Sequence, residues 1–160
     1  MKKWMLTAVV CAFALCMFPV PTLAAFSDIP SDHWAYSLIK QAADAGIITG
    51  IGEGQFGVGQ TVKRSEFAAM LCRLMQWETV TVADSSFLDT APESWYFETV
   101  ETALANGAIS VEDGYFRPED AITREEMAVM LVRALGCDSL ASSAGASPFS
   151  DVSANSGYIA

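Results

Sequence analysis

The apolar positions of this chain fall into four stripes at helical spacing, and the four form two matching pairs. Trp34, Leu38, Ile39, Ala42 and Ala45 recur every three or four residues, and the run closes at Gly46, a residue suited to the left-handed cap of a helix end. Behind Trp95, Val100, Ala103 and Leu104 repeat the stripe and close at Asn106-Gly107. The second pair carries Phe67, Met70, Leu71 and Leu74 in one copy, and Met127, Met130, Leu131 and Ala134 in the other. A stripe of this kind buries one helix face, so the methionines are assigned to packing rather than to a cofactor. The glycine-rich segment from Ile47 to Gly59 and the segment from Ala108 to Pro118 read as compact loops with at most two or three residues of extended pairing. The expected fold class is all-α, built from helical repeats joined by short loops.

The repetition reaches single residues. Phe26-Ser27-Asp28-Ile29 returns as Phe87-Leu88-Asp89-Thr90, ahead of Trp34 and Trp95 respectively. Phe149-Ser150-Asp151-Val152 begins a third copy, with Gly157 where the tryptophan is due and no second helix after it. The units are residues 26–77 and 87–137, a linker at 78–86, a Ser/Ala/Gly linker at 138–147 expected to be flexible, and a truncated third unit at 148–160. A repeat that cannot bury its own apolar face stabilises itself on its neighbours. The chain is therefore expected to be the N-terminal part of a longer protein.

Residues 1–24 read as a secretory signal peptide: Lys2 and Lys3, an apolar run from Trp4 to Val20, then Thr22 and Ala24 as the small residues before a cut. The alternative is a retained anchor, since about 18 apolar residues can cross a bilayer, but Pro19 and Pro21 argue against it. Bulky Leu15 disfavours lipid attachment at Cys16. Cleavage removes two of the nine basic residues and none of the 19 acids, which leaves 19 against 7 and a net charge of −12. Nucleic acid is excluded as a partner on that balance. Of the two remaining cysteines, Cys72 lies mid-helix and Cys137 follows a helix-ending glycine, so two separate thiols are expected over a bridge.

The chemistry concentrates at the second helix of each repeat. Thr123-Arg124-Glu125-Glu126 is a capping box, with the threonine hydroxyl accepting from the N–H three residues on and Glu126 reaching back. It places Arg124 in a first turn whose free N–H groups and dipole favour an anion, and a guanidinium adds a fork suited to a carboxylate. In the first copy Lys63 replaces the cap threonine before Arg64, losing about 1 kcal/mol of capping and adding a second cation. The plain alternative pairs each arginine with a nearby acid such as Asp28 or Asp89. Trp34 and Trp95 read either as core anchors or as platforms for a sugar face, and one residue can fill both roles. His33, the only histidine, has Ser94 at its counterpart, and no calcium loop or phosphate cradle occurs, so neither catalysis nor a metal or other cofactor is indicated. The other acids read as solvated helix faces, with Glu101 as a representative exposed position.

These residues resemble the S-layer homology (SLH) domain family. The resemblance rests on Phe-x-Asp followed by Trp, on Ala45-Gly46-Ile47-Ile48-Thr49-Gly50, on Phe116-Arg117-Pro118, and on Ile122-Thr123-Arg124-Glu125-Glu126, and it covers nearly all of the chain after residue 24. It implies three SLH repeats as a pseudo-threefold helical spindle, here with its third lobe incomplete. It further implies a non-catalytic module at the cell surface that anchors non-covalently to an anionic secondary cell-wall polysaccharide, often bearing pyruvate ketals, in grooves between repeats. Carried over, the groove residues are Asp28, Trp34, Gly50, Arg64, Asp89, Trp95 and Arg124, with Lys63 added by the reading of the helix start. The groove between repeats 1 and 2 is the one expected to be whole. The resemblance leaves open whether the module is the targeting arm of a longer exported enzyme or the N-terminal part of an S-layer structural protein. The net charge opposes an anionic polymer, but screening over about 8 Å at physiological salt lets local cations outweigh it.

Overall fold

The computed structural model describes residues 26–141 and 149–152. The expected signal peptide, most of the second linker and the end of the third unit lie outside those residues. Within the described residues five helices follow one another: α1 Tyr36–Asp44, α2 Arg64–Met75, α3 Phe97–Ala105, α4 Arg124–Ala134 and the short α5 Asp138–Ala141. Among the described residues there is no strand, only isolated bridges at Gly52 with Gln55 and Lys63 with Ala121. The all-α expectation holds.

Local sequence accounts for the helix limits. Gly46 and Gly107 close α1 and α3 in left-handed conformation (φ 72° and 74°), with the N–H of Ile47 donating to Ala42 and that of Ala108 to Ala103. Trp34 and Trp95 stand just before the helices rather than in their first turn. Tight turns precede α1 and α3, with His33 N–H donating to Pro30 O and Tyr36 N–H to His33 O, and likewise Ser94 to Ala91 and Phe97 to Ser94.

The main core lies across the repeat boundary. Ala68 and Leu71 of α2 pack with Val100 and Ala103 of α3, over Phe87, Ala108, Ile109, Phe116 and Met130 of the second repeat. The buried face of α2 is the Ala68, Leu71, Cys72, Met75 row at i, i+3, i+4, i+7, and its alanine lets α3 approach closely. Leu74, counted in the sequence stripe, falls off that row and is exposed. The first helix differs from its counterpart: α1 buries none of its residues, and Leu38 is 61% exposed. Val100 and Ala103 are covered by α2, whereas Ile39 and Ala42 at the same places in α1 have no equivalent helix over them among the described residues.

The first linker is docked along α3. Val80 N–H donates to Thr102 Oγ1 (2.9 Å), Thr81 Oγ1 to Glu98 Oε1 (3.2 Å), and Ser86 donates from N and Oγ to the two oxygens of Glu101 (2.8 and 2.7 Å). Glu101 is 4% exposed, which corrects its reading as a solvated position. A carboxylate is tolerated there because two donors meet it. Cys72 and Cys137 are both free thiols, as expected. Burial pushes the Cys72 thiol up to about 11, and its Sγ donates to Thr99 O.

Glu101→Ala should destabilise the domain by about 2 kcal/mol, because both Ser86 donors lose their acceptor in a buried place. Urea unfolding midpoints of the two proteins check this, with Glu93→Ala at an exposed position before α3 expected to change little.

Candidate functional site: two grooves between repeats

The N-terminus of α2 organises the region between the repeats. A lysine ammonium has no lone pair, so Lys63 cannot cap through its side chain. Half of a capping box survives, with Lys63 N–H donating to Glu66 Oε2 at 2.8 Å. Two first-turn donors are taken by the second repeat. Arg64 N–H donates to Asp120 O (3.0 Å), and both Ser65 N–H (3.1 Å) and Ser65 Oγ (2.8 Å) donate to Pro118 O. Ile122 N–H completes the junction with Val62 O at 2.9 Å. The first two N–H groups of this helix start, which the sequence offered to an anion, are therefore occupied by carbonyls of the next repeat.

Arg64 is drawn into the same junction. Its Nη1 pairs with Glu126 Oε1 at 2.5 Å, its Nε donates to Phe116 O at 2.7 Å, and its guanidinium lies over the Phe116 ring at 5.0 Å. The side chain is 14% exposed. Its partner is Glu126, not Asp28 or Asp89. Glu126 serves twice, since Oε2 also accepts from Thr123 N–H (2.8 Å) while Thr123 Oγ1 accepts from Glu126 N–H (3.2 Å), the capping box expected for α4.

Asp28 and Asp89 hold the loops. Asp28 accepts from the N–H groups of Phe56 (2.8 Å), Gly57 (2.8 Å) and Val58 (3.2 Å), and Asp89 from Phe116 (2.9 Å) and Arg117 (2.7 Å). The Phe56 N–H, ahead of those of Gly57 and Val58, holds the Asp28 carboxyl below its ordinary value. Each aspartate thus ties the start of its repeat to the loop that feeds its second helix.

Those loops and helices outline two cavities at equivalent places. One, of about 200 Å³, is formed by Ile48, Thr49, Gly50, Ile51, Phe56, Met70 and Arg73 of the first repeat and walled by Trp95 of the second. The other, of about 140 Å³, is formed by Ile109, Ser110, Tyr115, Phe116, Met130 and Arg133 of the second repeat and reached by Arg64 of the first. Gly50 and Trp95 therefore share a groove, while Arg64 belongs to the other. Trp34, Lys63 and Arg124 line neither cavity. Trp34 is 83% exposed and Trp95 62%, so neither is a core anchor. Lys63 Nζ pairs with Glu119 at 2.5 Å, which raises the lysine pKa. Arg124 is exposed and makes no ion pair or side-chain hydrogen bond among the described residues.

Gly50 has a steric reason to be glycine. Its φ is 72°, and a Cβ would lie 2.3 Å from Gln55 O and 2.6 Å from the Phe26 ring. The second repeat, one residue shorter here, turns instead on Asp113, which accepts from Tyr115 N–H (3.0 Å) and pairs with Arg117. Arg73 and Arg133 were not singled out from the sequence. Their signal was present, because they sit at the 60-residue spacing of Arg64 and Arg124.

Comparison with known proteins follows the same repeat units. The family model described as S-layer homology domain matches residues 25–68 and 86–128. The chain is 37% identical over 109 residues to an amylopullulanase of Thermoanaerobacterium thermosulfurigenes, covering 68% of this chain and 6% of that protein. It is 35% identical over 109 residues to an exoglucanase of Acetivibrio thermocellus, covering 68% and 10%. It is 30% identical over 127 residues to an S-layer protein of Bacillus thuringiensis subsp. finitimus, covering 79% and 15%. The chain thus spans a small part of the length of the relatives it matches.

Gly50→Ala should cost about 1–3 kcal/mol through backbone strain and the Gln55 clash, read as a lowered thermal midpoint. For Asp28, a folded-state value below 3.8 means its contribution is complete above 3.8 and is lost as pH falls through the lowered value. Denaturant midpoints should therefore fall on acidification from neutral pH to below 3.8, and Asp28→Ala should be weaker at neutral pH with a flatter acid dependence.

Proposed function

The chain belongs to the S-layer homology domain family, a non-catalytic cell-surface anchoring module, and from that premise we propose that its inter-repeat grooves hold an anionic secondary cell-wall polysaccharide, of the pyruvylated class. The observation that carries this reading is the Trp95 groove. An indole left 62% exposed stands across the repeat boundary from Gly50, Ile51, Met70 and Arg73. Such a wall offers apolar area to a sugar face and an N–H donor at its rim. Asp28, Asp89 and Gly50 serve the site by shaping the loops. Arg64 and Lys63 serve it by locking the repeats together, and Arg124 keeps an exposed guanidinium at the start of α4 for the same polymer. Residues 1–24 direct export, so the module acts at the wall. Among the described residues no helix is long and apolar enough to cross a membrane.

A second reading concerns the cargo. The amylopullulanase and exoglucanase relatives hold this region within 6% and 10% of their lengths, which favours a wall-targeting arm for a longer exported enzyme. The S-layer protein relative favours a surface-lattice subunit instead.

The protein should sediment with purified wall sacculi that retain their polysaccharide and stay in solution when the polysaccharide has been stripped from the peptidoglycan. Trp95→Ala should weaken retention at least about tenfold, as for a central aromatic contact, while the exposed change Thr79→Ala leaves it unchanged. Equal retention on stripped sacculi would sink the reading.

A further inference from the structure

We propose that Arg73, and by repetition Arg133, supplies the cation that reads a carboxylate substituent in each groove. This rests on the polysaccharide reading above. Arg64 is poorly placed for the task, since its guanidinium already serves Glu126 and the Phe116 carbonyl and is largely covered. The charged side chains lining the Trp95 groove are Glu66 and Arg73, and Glu66 is engaged by the Lys63 N–H. Arg73 is exposed, and its one side-chain hydrogen bond among the described residues is a long one, from Nη1 to Ile47 O at 3.5 Å. The rest of its five-donor fork is open to a planar anion. It follows Met70 by one helical turn, so the apolar floor and the cation share one face of α2.

The methionine–arginine pair recurs in the second cavity, which lacks a tryptophan wall and is also lined by Arg64, Arg117, Glu112, Asp113 and Glu126. Arg133 follows Met130, with Nη1 donating to Ser110 Oγ (3.1 Å) and Nε at 4.0 Å from Asp138. A last-turn arginine also complements the helix dipole, and that role alone would place it here without any ligand. The two roles differ in what they predict. Helix-end charge affects stability whatever the ligand, whereas a carboxylate contact discriminates between ligands that differ only in that carboxylate.

The test is calorimetric titration of the protein with a methyl glycoside carrying a 4,6-pyruvate ketal and with the same glycoside lacking the ketal. The wild type should prefer the ketal. In the double variant Arg73→Gln/Arg133→Gln, with its thermal midpoint measured to confirm the fold, ketal affinity should fall at least about tenfold while affinity for the parent glycoside is unchanged. Trp95→Ala should weaken both glycosides at its groove. If the double variant keeps the wild-type preference while Trp95→Ala weakens both, the assignment of Arg73 and Arg133 is overturned and the groove stands. If the wild type shows no preference for the ketal, the underlying polysaccharide reading fails with it.

Discussion

The arrangement depends on one constraint, that the first backbone donors of a helix must be satisfied when its end is buried. At the start of α2 the N–H groups of Arg64 and Ser65 find the carbonyls of Asp120 and Pro118, which belong to the next repeat. A helix that began with an efficient side-chain cap would need that loop less. Lys63 in place of threonine therefore accompanies a junction in which the neighbouring repeat acts as the cap. The Arg64–Glu126 pair adds register more than stability, since a largely covered ion pair repays little beyond its own desolvation.

From that junction the core and the grooves take their positions. With α2 seated on the 116–122 loop, its alanine and leucine row faces α3, and the buried cluster forms between repeats rather than within either. The two cavities are then the spaces left beside each second helix. One takes its wall from the following repeat through Trp95, and the other takes Arg64 from the preceding one. Each groove is thus a property of neighbouring units. The stacking that stabilises a repeat protein is here the same stacking that shapes its surface.

Much of the architecture was legible from local pattern. The four main helices, the glycine stops at Gly46 and Gly107 and the Thr123–Glu126 box are decided by residues within one or two turns of each other, so their signals survive in the linear chain. The site was only partly legible. The repeat marked Trp95 and Arg64 and the family resemblance marked Gly50, but nothing local told that Arg64 would spend its fork on Glu126, or that it would line a different cavity from Trp95 and Gly50. Glu101 reads as one more acid on a helix until Ser86 is brought against it. Arg73 and Arg133 read as ordinary helix-end cations until the groove appears beside them.

The amino-acid sequence by itself determined the repeat, the helices and the family, because periodicity, capping and turn chemistry act over a few residues at a time. Tertiary structure alone decided which faces are covered, which carboxylate meets which cation, and which tryptophan borders a cavity. Similar apolar spacings in α1 and α3 end with different fates for that reason: α2 lies over one of them, and burial is a relation between segments rather than a property of either.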